Sequence, residues 1–334
     1  MQCRSCHSEN IKDVLSLGDQ YLSDFVELDD PMPPQYPLNL VLCKNCSLVQ
    51  LRETTPQNAL YTPRYGYRSG INVTMQKELQ EIVDKSISRI QLTENDSVLD
   101  IGANDGTLIS NYQGVYRIAV EPIEKFAKEI IEKNRADFVI QDFFTKESFL
   151  KWCPNEKPKV ITAISMFYDL PDPNTFVSDI ASILHPDGLF VIQQNYLVTM
   201  LKNFAYDNIV HEHLEYYSLT SLEKLLNRHG LEVVEAEIDD VNGGSIRTYV
   251  RHMDMVKKLR YLEKKMKLDT AWPYMLFAMQ VKSLTKKLHN FIEEEVKKGK
   301  IIYVFGASTR GGTLLQSARL DNTLIKAAVE RNPE

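Results

Sequence analysis

No stretch of this 334-residue chain holds the roughly 20 consecutive apolar residues that a membrane span requires. The opening MQCRSCHSEN has none of the apolar run of a secretory leader. Basic residues are not in excess. Lys and Arg number 39 against 45 Asp and Glu, a formal net charge of -6, which argues against nucleic acid or an anionic membrane as partner. Low-complexity segments are missing, as is any internal repeat beyond one late echo of a strand, glycine loop and helix. The expectation is a cytoplasmic protein of two or three domains with reduced cysteines. Oligomeric state is left open.

Four of the five cysteines fall into two pairs, Cys3-x-x-Cys6 and Cys43-x-x-Cys46. Two thiolates on one tight turn face one point, and a second turn supplies two more, the donor set of a closed tetrahedral zinc site. Two disulfides are the alternative. Residues 1 to about 60 show no long helical period and read as a small ribbon held by metal.

A helix is predicted from Thr74 to Ile90, where Met75, Leu79, Ile82, Val83, Ile87 and Ile90 recur at helical spacing. Strand and helix signals then alternate. Strands are expected at 97–102, 116–121, 138–140, 160–164 and 189–194, with helices at 124–133 and 174–185. Such alternation implies a parallel sheet with helices on both faces, an α/β fold. Further on come a helix at 219–229, strands at 231–238 and 245–251, and a Lys- and Glu-rich helical region from 255 to 298 broken near Pro273. Ile301 to Gly306 then starts a second strand, glycine loop and helix. The expected domains are a zinc module at 1–62, a cofactor-binding domain at 63–238 and a substrate domain at 239–334. The final strand, Ile325 to Glu330, has only four residues after it, so that last domain is expected to be incomplete.

The segment Asp100-Ile-Gly-Ala-Asn-Asp-Gly106 follows a strand and is expected to open a helix. Gly102 and Gly106 let the backbone approach a ligand closely. A pyrophosphate loop avoids carboxylates, whereas Asp100 and Asp105 suit a ligand with an ammonium group. Glu121 ends the next strand, where an acid accepts ribose hydroxyls. Asp142 follows the third strand, placed for the adenine amine. Together with Asn104 and Phe143 these residues point to S-adenosylmethionine; a nicotinamide site is the alternative.

Four further clusters carry candidate chemistry. Tyr65-Gly-Tyr67-Arg-Ser-Gly70 precedes the first long helix. His211-Glu212-His213 follows the fifth strand of the sheet, and in an extended segment both imidazoles would point one way. That cluster reads as a general base with an orienting acid, a metal pair or a polar domain interface. Asn242-Gly-Gly-Ser245-Ile-Arg247 offers an Arg to clamp a phosphate or sugar oxygen. Gly306-Ala-Ser308-Thr309-Arg310-Gly-Gly312 is either an anion site at a helix start or a structural turn. Cys153 and Trp152 carry no functional signal.

Taken together, these motifs resemble the sugar C-methyltransferases that act on nucleotide-linked 4-keto-deoxyhexoses. The likeness spans the whole chain: the cysteine pairs, Tyr65 to Gly70, Asp100 to Gly106, His211 to His213 with Tyr216-Tyr217, Gly243 to Arg247, and Gly306 to Thr309. It implies an N-terminal zinc module, a central class I S-adenosylmethionine-dependent domain and a C-terminal Rossmann-like domain. It also implies roles. His213 would remove the proton beside the ketone, with His211 and Glu212 orienting it, and Tyr65 or Tyr67 would sit by the enolate oxygen. Tyr217, Ser245, Arg247, Ser308, Thr309 and Arg310 would hold a thymidine-linked sugar. Two positions depart from the family: Val210 stands where Tyr is common, and Asn242 where His is common. An oxygen or nitrogen methyltransferase and a non-catalytic nucleotide-sugar binder are the competing readings.

Overall fold

The computed structural model describes residues 1–22, 31–60, 68–239, 244–305 and 309–329. Two compact units result, Met1–Asp254 and Met255–Glu334.

In the first unit, strands β1 (Ile11–Tyr21), β2 (Gln35–Cys43) and β3 (Val49–Leu51) form an antiparallel sheet. The short helix α1 (Gln57–Leu60) follows, and then α2 (Val73–Arg89), whose Asn72 cap accepts the Thr74 amide at 2.8 Å. The alternating part is β4 (Ser97–Ile101), β5 (Tyr116–Val120), α3 (Glu124–Glu132), β6 (Phe138–Ile140), α4 (Lys146–Trp152), β7 (Val160–Ile164), α5 (Pro173–Ile183) and β8 (Leu189–Asn195). Next come α6 (Leu197–Asn203), β9 (Glu215–Tyr216), α7 (Leu219–Arg228), β10 (Leu231–Asp239) and β11 (Ser245–His252).

The seven-stranded sheet runs β10-β11-β8-β7-β4-β5-β6. Strands β4 to β8 are parallel, and β11 is antiparallel to both its neighbours. Every residue of β4 is buried, as a parallel strand covered on both faces demands. Leu99, Ile101, Ile161 and Phe190 pack on one side with α5 and α7. Val98, Val160 and Val191 pack on the other with Leu79, Ile82 and Val83 of α2.

Two features were not evident from the sequence pattern. The loop after β4 leads into a single 3₁₀ turn, Ile109–Asn111, instead of the expected α-helix. Strand β9, from the segment carrying the His-Glu-His run, pairs with β3, so the cysteine-bearing sheet is completed by the cofactor-binding domain. The boundary expected at 238/239 falls inside the β10–β11 hairpin, since β11 belongs to the central sheet.

The second unit contains α8 (Met255–Met266), α9 (Trp272–Lys297), β12 (Tyr303–Phe305), α10 (Thr309–Ser317) and β13 (Ala327–Val329). Pro273 occupies the first turn of α9, where its missing amide costs nothing, so the long basic region splits there into two helices. Strands β12 and β13 are parallel with α10 between them.

Candidate active site

The four cysteines converge. Their sulfurs all lie within 4.8 Å of one another, with Cys3–Cys46 and Cys6–Cys43 at 3.5 Å and no disulfide formed. Tetrahedral zinc with Zn–S near 2.3 Å sets sulfurs about 3.8 Å apart, so the set fits the ion. The two turns are alike. His7 N–H donates to the Cys3 carbonyl and Ser47 N–H to the Cys43 carbonyl, each at 2.9 Å, and His7 and Ser47 both take left-handed backbone angles. A shared hydrogen bond and burial push the Cys3 thiol up, while the same partner holds Cys46 down at about 5. Four converging thiols are the donor set of a divalent cation. The first turn is clasped from outside. Asn174 Nδ2 donates to the carbonyls of Arg4 and Ser5 at 2.7 and 2.9 Å, and Arg228 donates to Ser5.

A cavity of about 380 Å³ opens at the carboxyl ends of β4 and β5. Asp100, Gly102, Asn104, Glu121 and Phe143 all line it, together with Met166 and Asp169 from the segment after β7 and Thr175 from the first turn of α5. Gly102 turns the chain here with φ +70°; a β-carbon at this position would stand 3.2 Å from Met166. The Glu121 oxygens accept the amides of Asn104 at 2.8 Å and Ile123 at 2.7 Å. Thr162 donates to Asp100 Oδ1 at 2.6 Å. Burial nevertheless raises both carboxyls to about 7. Two buried carboxyls on the wall of a drug-sized cavity fit a ligand with hydroxyls and a positive charge, and S-adenosylmethionine has both. Glu121 and Asp100 are the residues that would hold its hydroxyls and its charged end.

Two of the proposed cofactor residues lie off the cavity. Asp105 turns back onto its own loop, accepting from the Gly70 amide at 2.9 Å and the Thr107 hydroxyl at 2.7 Å. The exposed Asp142 accepts the Phe143 amide at 2.8 Å. Sequence reasoning missed Thr162, Met166 and Asp169; the one hydroxyl in the otherwise apolar run of β7, Thr162, was the available signal.

The His-Glu-His run is a tight turn, not an extended segment, so the two imidazoles part company. His211 is buried, and its Nε2 lies 3.0 Å from the Tyr36 carbonyl of β2. Glu212 Oε2 is buried with no hydrogen-bond partner among the described residues. His213 Nδ1 lies 2.9 Å from the Asn208 carbonyl, which can only accept, so this nitrogen carries the proton and Nε2 keeps its lone pair. Its ring meets Tyr168 edge-on at 4.3 Å, between the cavity residues Met166 and Asp169. Burial lowers the His213 imidazolium to about 4.

The clusters read as substrate contacts behave differently. Tyr217 is fully buried against Phe167, ring centroids 5.5 Å apart. Ser245 is buried at the start of β11. Arg247 is a correction to the phosphate-clamp expectation. It has no exposed surface, donates from Nε to Gln193 at 2.6 Å and pairs closely with Glu78. Glu81, Asp239 and Glu237 stand 3.5, 3.6 and 3.7 Å away. Tyr65, Tyr67 and Ser308 lie outside the described residues, and Thr309 and Arg310 open α10.

Comparison with known proteins agrees with this layout. Residues 3–61 match the "Putative zinc binding domain" family, 74–236 a methyltransferase domain family and 240–334 the C-methyltransferase C-terminal domain family. C-methyltransferase NovU of Streptomyces niveus is 28% identical over 338 residues, spanning 97% of this chain and 80% of that one. Among solved structures, N-methyltransferase NodS of Bradyrhizobium japonicum shares 13% identity over 55% of this chain and 99% of its own, TM-score 0.41. The S-adenosylmethionine-bound magnesium protoporphyrin IX methyltransferase of Synechocystis shares 15% over 56% and 87%, TM-score 0.41. Neither of these two likenesses bears on substrate. Three family matches in order along the chain, a four-cysteine cluster and a class I methyltransferase sheet mark the chain as an S-adenosylmethionine-dependent methyltransferase, similar to C-methyltransferases and carrying an N-terminal match to a zinc-binding domain.

Proposed function

We propose that the chain methylates the carbon beside the ketone of a nucleotide-linked 4-keto-deoxysugar, thymidine-linked in the simplest case, in the cytoplasm. The observation that carries this reading is the state of His213: one ring nitrogen is tied to a carbonyl, the other is an unprotonated acceptor, and the ring packs on Tyr168, whose chain neighbours Met166 and Asp169 line the cavity although His213 itself does not. A carbon nucleophile needs such a base, because a C–H beside a ketone must lose its proton before the carbon can attack. Burial holds the His213 imidazolium down at about 4, so the ring is neutral at physiological pH with its Nε2 lone pair unprotonated.

S-adenosylmethionine supplies the electrophilic methyl group. The chain does the rest. Asp100 and Glu121 seat the donor, and His213 Nε2 takes the proton from the sugar carbon. We assign Tyr65 or Tyr67 to the enolate oxygen, where a fixed donor stabilises charge as it forms. Glu212 lies next to the base on the same turn. Support for the sugar comes from the motif set and from the C-methyltransferase relative.

The test is proton exchange without methyl donor. Incubated in D2O with a thymidine-diphosphate-linked 4-keto sugar, the protein should introduce deuterium at C3, read by NMR. His213→Gln should stop exchange and lower turnover by about 10²–10⁴-fold, with cofactor affinity within about twofold of wild type. A wild-type protein that methylates but never exchanges would favour an oxygen or nitrogen acceptor.

A further inference from the structure

We propose that Asn195 and Asn208 form a positioning relay that fixes the tautomer and orientation of His213. This rests on the assignment of His213 as base. The chain of contacts is continuous. Asn195 is the last residue of β8, opposite Ser245 of β11, so its backbone belongs to the rigid sheet. Its Nδ2 donates to Asn208 Oδ1 at 2.9 Å. Asn208 Nδ2 donates to the Ala205 carbonyl at 3.4 Å, closing the turn from within. The Asn208 carbonyl then receives His213 Nδ1 at 2.9 Å and the Tyr216 hydroxyl at 3.4 Å.

Apolar packing anchors the turn too, since Ile209 is buried with Leu38, Leu40 and Leu51 and Ala205 packs against them, but its backbone hydrogen bonds are internal. The amides of Ala205, Tyr206, Asn208 and Ile209 all donate to carbonyls between Met200 and Tyr206. Phe204, just before it, adopts the left-handed conformation and is 85% exposed. The Asn195 amide adds a side-chain hydrogen bond that links this segment to the central sheet near the point where the base is held. A carbonyl that swings takes the imidazole with it, and a misplacement of about 1 Å at a reacting centre costs on the order of 10²-fold. The partner is also neutral. A carboxylate would stabilise the imidazolium and hold the proton, whereas a carbonyl fixes the tautomer without trapping charge. Tyr168 and Tyr216 touch this pair, and the acids Asp169, Glu212 and Glu215 stand close enough to act on Tyr216.

The experiment compares Asn195→Ala and Asn208→Asp in the full chain. N195A should lower kcat about 10–100-fold while KM for sugar and cofactor stays within about twofold. 15N NMR should show His213 as one Nδ1–H tautomer in wild type and as a mixture in N195A. N208D keeps the oxygen that Asn195 needs and places a negative charge near the imidazole. That charge favours imidazolium, so the acidic limb of the kcat profile should move to higher pH. A merely structural role would lower the melting temperature and leave tautomer and pH limb unmoved. Wild-type kcat, tautomer and pH profile in N195A would overturn the proposal; if N195A does not fold, an unmoved pH limb in N208D overturns it. Full activity in H213Q would sink the base assignment itself, whereas an inactive H213Q beside a normal N195A would sink the relay alone.

Discussion

His213 and Arg247 both stand in motifs that signal chemistry, and the fold treats them oppositely. One nitrogen of His213 is tied to a carbonyl and the other is kept for use. Arg247 is ringed by Gln193, Glu78, Glu81, Glu237 and Asp239 and faces no cavity. The difference is one of charge: Arg247 is surrounded by carboxylates, whereas the contact to His213 is a neutral carbonyl. The carboxyls sort the same way. Glu78 has its arginine, Asp100 and Glu121 have a cavity, and Glu215 has little of either.

The largest expected effect tests the arginine. Arg247→Ala leaves Glu78 buried without its partner and should cost about 3–5 kcal/mol of stability, read as a lower denaturant midpoint. Substrate KM in the surviving folded protein should stay near wild type. Unchanged stability with a large rise in KM would reverse the contrast and restore the clamp.

A smaller effect separates carboxyls that await a cation from one already paired. Asp100→Asn should weaken S-adenosylmethionine binding roughly tenfold. In the wild type, Asp100 and Glu121 hold protons below about pH 7, and a cationic ligand must expel them. Affinity should therefore tighten as pH rises from 6 to 8, by at most about tenfold per unit for each group, with proton release detectable by calorimetry. An affinity flat across that range would remove these acids from cofactor recognition.

Glu215 gives the smallest effect. Both its oxygens are buried without a hydrogen bond, and Arg4 Nε stands 3.8 Å away. Burial pushes Glu215 well up and Arg4 down, so on both sides desolvation outweighs their attraction. An acid raised in the folded state costs stability as pH climbs above its unfolded value, near 4.3, because the unfolded chain ionises first. Glu215→Gln should then stabilise by about 1 kcal/mol at neutral pH and by nothing below about pH 4, measured by denaturant titration at both.

Much of this was legible in the sequence because it is local. Helical spacing marked α2, buried apolar runs marked β4 and β7, and a three-residue ligand spacing marked the cysteine turns. What escaped depends on distant partners. Arg247 is claimed by Glu78, 169 residues earlier. Asp105 is drawn to the Gly70 amide across 35 residues. Strand β9 exists because β3 offers an edge, and β1 is mostly exposed, so no alternation announces it. Asn195 and Asn208 belong to no motif; only the turn that folds between them makes them neighbours.

The clasp on the Cys3–Cys6 turn carries a last consequence. Asn174, which grips its carbonyls, sits in the first turn of α5, and the next residues, Thr175 and Phe176, wall the cofactor pocket. Structural metal and methyl donor thus share one scaffold. A chelator that never approached the pocket would still loosen its rim, so depletion of zinc would register as poorer donor binding before the central sheet came apart.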